Sequence, residues 1–202
     1  MTPYTGETKL KKGELLGVCA VVAILLIGVM NLMGNPKLSG AINYLANGGS
    51  GAPATGSSIV GGPSISAAKI DAILSAAGSP AAGTGSTFVL DSATYNIDSA
   101  YALAFFHHES SYGTSGAARE THSIGNIVCT PGYSCIGRFR PYPSWQAGID
   151  DWFKLIAGPA YVGGGLVTLD QIIPKYAPAS DNNSPSAYIA AVEQDVQAWR
   201  AS

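Results

Sequence analysis

Large apolar residues recur three or four positions apart in five segments of the chain. That spacing places them on one face of a helix. The widest stripe comprises Trp145, Ile149, Trp152, Phe153 and Ile156. The pattern predicts a mainly helical body built from residues 67–77, 98–110, 144–157, 169–176 and 186–200.

Residues 113–143 have a different pattern, in which glycine and proline separate short apolar runs such as SIGNIVC and CIGRF. Any strands of the protein are expected in this segment. The sequence therefore predicts a small β or loop lobe inserted in the helical body, an α+β arrangement. The folded domain is expected to cover residues 65–202, which is long enough for one core.

A continuous apolar segment, LLGVCAVVAILLIGVMNLM, occupies residues 15–33 and follows Lys9, Lys11 and Lys12. Nineteen uncharged residues approach the ~20 that a membrane-spanning helix needs. The preceding lysines predict a cytoplasmic segment 1–14 and a single-pass cell-membrane protein with its domain extracytoplasmic. A cleaved signal peptide is the alternative, with a secreted or virion-associated protein, although no small-x-small cleavage site follows.

Residues 34–64 are rich in glycine, serine, alanine and proline, and residues 46–64 contain no charge. Such a composition is typical of a linker. Charged residues make up only 12% of the chain, and its net charge is −2. The folded domain has seven cationic and eleven acidic residues, a net charge of −4. This balance argues against nucleic acid as a partner.

Glu109 is the strongest candidate for a catalytic residue. It ends the predicted helix 98–110, in FFHHESSYGTSG, four positions after Phe105 and eight after Tyr101, on the same face. A carboxyl group with aromatic neighbours and one open side is expected to have a raised pKa, as a general acid requires. The alternative is a solvated glutamate at the end of a helix.

A metal site and a serine nucleophile are not expected. His107, His108 and Glu109 are adjacent, but the HExxH pattern would require a histidine where Tyr112 stands. No serine lies in a GxSxG setting. No cofactor is therefore predicted.

Two of the three cysteines, Cys129 and Cys135, enclose the segment TPGYS. The predicted compartment is oxidising, so a disulfide that closes this short loop is expected. Cys19 lies within the apolar segment and is expected to be a small apolar residue there.

Four segments, in order, resemble bacterial glucosaminidase domains, the endo-β-N-acetylglucosaminidases of glycoside hydrolase family 73. ALAFFHHESSYGTSG resembles their catalytic-helix signature, and SIGNI resembles the strand that follows it. FRPYPSWQAGIDDWFKLI and YAPASDNNSPSAYIAAVEQDVQAW are similar to their later helices. The resemblance covers residues 66–200 and implies a lysozyme-like fold and peptidoglycan glycan strands as the substrate.

The resemblance also implies roles for individual residues. Glu109 matches the general acid that protonates the glycosidic oxygen. Tyr188 matches a tyrosine of the cleft, although a core-facing aromatic residue is an equal alternative. Substrate contacts are expected from Gly125, Asn126, Tyr112 and Tyr176.

One departure from the family concerns a second acid, which many members have in the inserted lobe. Residues 121–149 contain no Asp or Glu, and Asp150 and Asp151 lie in a predicted helix. A two-carboxylate mechanism is therefore not supported by the sequence. A single acid is compatible with attack by the substrate's 2-acetamido group in a hydrolase or with a 1,6-anhydro product in a lytic transglycosylase. A non-catalytic glycan-binding module is the third alternative.

Overall fold

The computed structural model describes residues 58–202, and this part of the chain is mainly helical. All five predicted helices are confirmed, with ends within one residue of the prediction. The α-helices are α1 Ala67–Ala76, α2 Gly85–Tyr95, α3 Ser99–Ser110, α4 Ala118–Thr121, α5 Trp145–Ala157, α6 Leu169–Tyr176 and α7 Pro185–Arg200. Short 3-10 turns at Val162–Gly164 and Ala179–Asp181 flank α6.

Side-chain caps fix where three of these helices begin. Ser66 accepts a hydrogen bond from the Lys69 amide at the start of α1, at 3.2 Å. Asp98 accepts from the Ala100 amide at 2.9 Å and so begins α3. Ser144 does the same for α5. Each cap satisfies an amide that has no partner within its own helix.

Helix α3 is the centre of the core, because every residue from Ser99 to Phe106 is buried. It contacts α2 and α7, and α2 also contacts α1 and α5. The Phe105 ring lies edge-on to both Trp152 and Tyr176, with centroids 5.1 Å apart in each pair. A helix that is buried on all sides is held rigidly by its neighbours, and α3 carries Glu109 at its end.

The periodicity of the sequence does not indicate α2. Its segment, GSTFVLDSATY, contains β-branched residues and buries polar ones, Asp91 and Ser92, beside Phe88. Its first amide is satisfied from another helix, since Asp71 of α1 accepts from Gly85 at 2.7 Å. A Cβ on Gly85 would lie 2.2 Å from the Ala67 carbonyl oxygen, so this close approach requires glycine.

The inserted lobe contains isolated β-bridges, and residues 113–143 form no extended strand. Val128 pairs with Phe139, and the Cys129 amide donates to the Arg138 carbonyl at 2.8 Å. Cys129 and Cys135 form the expected disulfide, with their Cα atoms 5.9 Å apart. The β part of the predicted α+β fold is therefore reduced to a disulfide-closed loop.

The described domain begins within the segment predicted as a linker. Ile59 is fully buried, and Ser58 and Val60 form bridges with Thr168 and Ile97. Across residues 58–202, no helix combines the length and the apolar character needed to cross a membrane. The predicted span 15–33 and the rest of the linker lie outside the described residues.

Candidate active site

A tight turn places Glu109 at the surface end of the central helix. Immediately after α3, Ser111, Tyr112 and Gly113 all have positive φ, and the chain reverses there. The Ser110 hydroxyl accepts a hydrogen bond from the Gly113 amide at 2.9 Å. A Cβ on Gly113 would lie 2.4 Å from the Trp145 ring, so the turn needs glycine.

Two side chains hold the Glu109 carboxyl group. The Tyr188 hydroxyl donates to Oε1 at 2.8 Å, and the Asn126 amide nitrogen donates to Oε2 at 3.1 Å. The same Asn126 nitrogen donates to the Glu109 backbone carbonyl at 3.0 Å. Helix α7 and the segment before the disulfide loop therefore meet at this carboxyl group.

Burial raises the pKa of Glu109, and the hydrogen bonds from Tyr188 and Asn126 lower it by a smaller amount. Desolvation disfavours the charged form, so the proton is retained to a higher pH than in an exposed glutamate. The Glu109 carboxyl group can therefore act as a proton donor.

Tyr176 and Gly125 form the next contact beside the acid. The Tyr176 hydroxyl donates to the Gly125 carbonyl at 2.6 Å. A Cβ on Gly125 would lie 2.2 Å from that hydroxyl oxygen and 2.4 Å from the Trp152 ring, so only glycine fits. Burial, with the nearby Glu109 adding to it, raises the pKa of both Tyr176 and Tyr188. Both hydroxyls therefore keep their protons as donors.

Glu109 lies in the wall of a cavity of about 550 Å³. This volume is within the range of about 300–1,000 Å³ that is typical of small-molecule sites. The wall is formed by the end of α3, the inserted lobe, α5, α6 and the loop after α6. Its lining residues are Glu109, Gly125, Asn126, Ile127, Val128, Thr130, Arg138, Phe139, Arg140, Leu155, Tyr161, Lys175, Tyr176, Ala177, Pro178, Asp181 and Asn183.

The structure brings together Glu109, Gly125, Asn126 and Tyr176, which all line this cavity. Tyr188 is not among the lining residues: its side chain is buried, at 4% exposure, and its hydroxyl donates to Glu109.

Tyr112 is placed differently from the other predicted contact residues. It is buried, its ring stacks on His107 with centroids 4.4 Å apart, and it is not among the cavity-lining residues. Its carbonyl oxygen accepts a hydrogen bond from the Ser79 hydroxyl at 2.7 Å. In this structure Tyr112 therefore supports the turn after α3.

Sequence reasoning did not identify the cavity's cations, Arg138, Arg140 and Lys175. Arg140 pairs with Asp151 at 3.1 Å, and its guanidinium lies 4.0 Å from the centre of the Tyr133 ring. Lys175 donates to the Ala160 carbonyl at 2.6 Å. Arg138 and Arg140 lie two positions apart, just after the disulfide loop. This spacing is the signal in the sequence that could have indicated that both line the same wall of the cavity.

Asp181 was also not identified from the sequence. It lies in the polar loop SDNNS between α6 and α7, a composition typical of turns, and it lines the cavity. Among residues 58–202, no group of three His, Cys, Asp or Glu side chains is arranged to hold a metal ion.

No protein-family model matches this chain, and a search of curated proteins finds no match.

Proposed function

We propose that this protein is a peptidoglycan hydrolase of lysozyme-like fold. It cleaves the β-1,4 bond between N-acetylglucosamine and N-acetylmuramic acid, and Glu109 is its general acid. One observation carries the proposal: a carboxyl group with a raised pKa, held by two hydrogen bonds, lies in the wall of a 550 Å³ cavity. A general acid needs both a retained proton and access to the substrate.

In this mechanism Glu109 donates its proton to the glycosidic oxygen while the bond to the anomeric carbon breaks. The Tyr188 and Asn126 hydrogen bonds then stabilise the carboxylate that remains. Because these donors are already in place, the charge forms without rearrangement of the site.

The composition of the cavity wall fits a glycan. Phe139 and Tyr161 supply aromatic surface, and Asn126, Asn183 and Thr130 supply neutral hydrogen-bonding groups. Sugar rings present both apolar faces and hydroxyl groups, so they match such a mixed surface. The cationic side chains suit a substrate that also carries carboxylates, as the stem peptides of peptidoglycan do.

A lytic transglycosylase is the second candidate. It is favoured by the absence of Asp and Glu from residues 121–149, since an anhydro product needs no activated water. The two candidates differ in the end that they leave on the glycan strand.

The proposal includes a location outside the cell membrane, with residues 15–33 as the anchor and a linker behind it. Carbonate extraction of membranes from expressing cells should leave the full-length chain in the membrane pellet. A chain of lower mass in the soluble fraction would instead indicate cleavage and a secreted protein.

The test is a digest of purified peptidoglycan by the full-length chain in detergent micelles, with products identified by mass spectrometry. Fragments with reducing-end N-acetylglucosamine are expected, and anhydro ends would indicate the transglycosylase. Glu109→Gln should be inactive, and the matched control is Glu120→Gln, an exposed acid of α4 that does not line the cavity. Binding without cleavage by the folded wild type would leave a glycan-binding module.

A further inference from the structure

Hydrolysis of a glycosidic bond needs a group that takes a proton from the attacking water. The inserted lobe supplies no carboxylate for this purpose, because residues 121–149 contain none. Of the described residues that line the cavity, two carry carboxyl groups, Glu109 and Asp181. Asp181 has no role in the general-acid step that is proposed for Glu109.

We propose that Asp181 is the general base that activates water, an inference that rests on the proposed hydrolase function. The water oxygen bonds to the anomeric carbon as its proton passes to the Asp181 carboxylate. The bond from that carbon to the glycosidic oxygen breaks, and the leaving oxygen takes the proton of Glu109. One water is consumed, and solvent then returns the proton from Asp181 to Glu109.

Hydrogen bonds within the loop fix the shape of the segment that carries Asp181. Asp181 ends the 3-10 turn Ala179–Asp181, and its amide donates to the Pro178 carbonyl at 3.0 Å. The Asn183 side chain donates to the same carbonyl at 3.3 Å. Since Ala177, Pro178 and Asn183 also line the cavity, Asp181 lies in a wall formed by the whole loop.

The surroundings of the two carboxyl groups differ in the way that a division of roles requires. Glu109 is largely desolvated and bonded to two donors, and burial raises its pKa. Asp181 is exposed, and the Ser180 hydroxyl at 3.4 Å is its hydrogen-bond donor among the described side chains. No ion pair to Asp181 is found in residues 58–202, so its oxygens are open to water. Paired carboxyl groups in unlike environments commonly act as acid and base.

Direct attack by an activated water displaces the leaving group from the opposite face of the sugar. The product should therefore have inverted configuration at the anomeric carbon. Attack by the 2-acetamido group would instead retain the configuration, so the stereochemistry separates the two routes.

The experiment compares the full-length wild type with Asp181→Ala and Asp181→Asn on peptidoglycan, with and without sodium azide. Activity should fall about 10²–10⁴-fold in both variants, the contribution typical of a general base. Azide needs no base, so it should restore cleavage by Asp181→Ala and give a glycosyl azide of inverted configuration, detected by mass spectrometry and NMR. Asp170→Asn, an exposed acid of α6 outside the cavity lining, is the matched control and should keep wild-type activity.

Three results would overturn the role of Asp181 and leave Glu109 as the acid: an active Asp181→Ala, a loss of activity without formation of glycosyl azide, or wild-type products with retained configuration or anhydro ends. In each of them the wild type cleaves the substrate and Glu109→Gln does not. A wild type that cleaves nothing would refute the proposed function itself, and with it the role of Asp181. Circular dichroism of each variant checks that it is folded.

Discussion

The end of α3 and the disulfide loop of residues 129–135 lie on the same side of the molecule, yet different forces hold them. The helix is fixed by packing, since Leu103, Phe105 and Phe106 are fully buried. The loop has no buried side chain, and it depends on the Cys129–Cys135 bond and a few backbone hydrogen bonds. Tight packing is therefore concentrated at the helix end that carries Glu109, the proposed proton donor.

The loop and the residues that flank it also expose apolar surface, which the helix does not. Val128 and Tyr133 are each 52% exposed and Ile136 is 40% exposed. Few buried contacts and an exposed backbone are typical of segments that open locally. An exposed apolar surface of this kind suits contact with a long polymer such as the proposed substrate. The desolvated carboxyl group of Glu109 suits the proposed proton transfer.

The largest effect is expected at the helix end. Glu109→Gln should lower the rate of peptidoglycan cleavage about 10²–10⁴-fold, the usual contribution of a general acid. Since glutamine keeps the shape of the side chain, the far-ultraviolet circular dichroism spectrum should not change. A folded Glu109→Gln variant with wild-type turnover would show that the end of α3 does not carry the catalytic acid.

The same variant should change how stability depends on pH. Burial raises the pKa of Glu109, so the folded state holds its proton more tightly than the unfolded chain does. The stability that this provides is present below the unfolded pKa and is lost as pH rises through the folded pKa. Urea unfolding should therefore show that Glu109→Gln gains stability relative to the wild type as pH rises. Parallel curves would contradict the desolvated carboxyl group.

The disulfide should matter to the loop and little to the core. Replacing Cys129 and Cys135 with serine removes a cross-link of a kind that is worth about 2–4 kcal/mol. Hydrogen exchange should accelerate at the amides of positions 129 and 140, whereas amides within α3 keep their protection. Equal acceleration in both would mean that the two regions unfold as one unit and would remove the contrast between them.

A smaller effect is expected when Tyr188 is replaced with phenylalanine. The Tyr188 hydrogen bond lowers the pKa of Glu109, so its loss should raise that pKa further. The basic limb of the pH profile of kcat/KM should move to higher pH, and stability should fall by about 0.5–1.5 kcal/mol. Tyr133→Phe, which removes an exposed hydroxyl in the loop, is the control and should leave the profile unchanged.

The smallest effect is expected on the loop side, at Arg138. Its guanidinium lies over the Phe139 ring at 5.2 Å and, in residues 58–202, no acid pairs with it. Arg138→Gln should raise KM a few-fold for peptidoglycan with stem peptides, and added salt should reduce the difference. Glycan strands stripped of their peptides should be cleaved equally by both proteins; an equal change in KM for both substrates would contradict a contact with carboxylates.

The sequence predicts the elements whose apolar residues have a single period. Helices α5 and α7 are recognisable because Trp152 and Val192 belong to continuous stripes. Helix α2 is not recognisable, because it buries the polar residues Asp91 and Ser92 and its first amide is capped by Asp71 of the preceding helix. Local periodicity contains no information about such a tertiary contact.

The candidate site, like the fold, was predictable only where a local pattern in the sequence marks a residue. Glu109 is marked by its place at the end of an apolar helix, but its partners come from segments 17 and 79 residues further along. Asp181 lies in a polar loop whose composition indicates only a turn. Tyr112 was predicted to contact substrate, yet it has a positive φ of 57°, stacks on His107 and does not line the cavity.

The bond pattern of Asn126 has a consequence for the entropy of the reaction. One amide nitrogen bonds both the backbone carbonyl and the carboxyl group of Glu109, so the glutamate rotamer is fixed against its own main chain. The freedom that a long side chain would lose on reaching its reactive geometry is lost during folding instead. In the proposed reaction, substrate binding then needs no ordering of the acid, and the energy of the proposed sugar contacts remains available to hold the glycan strand.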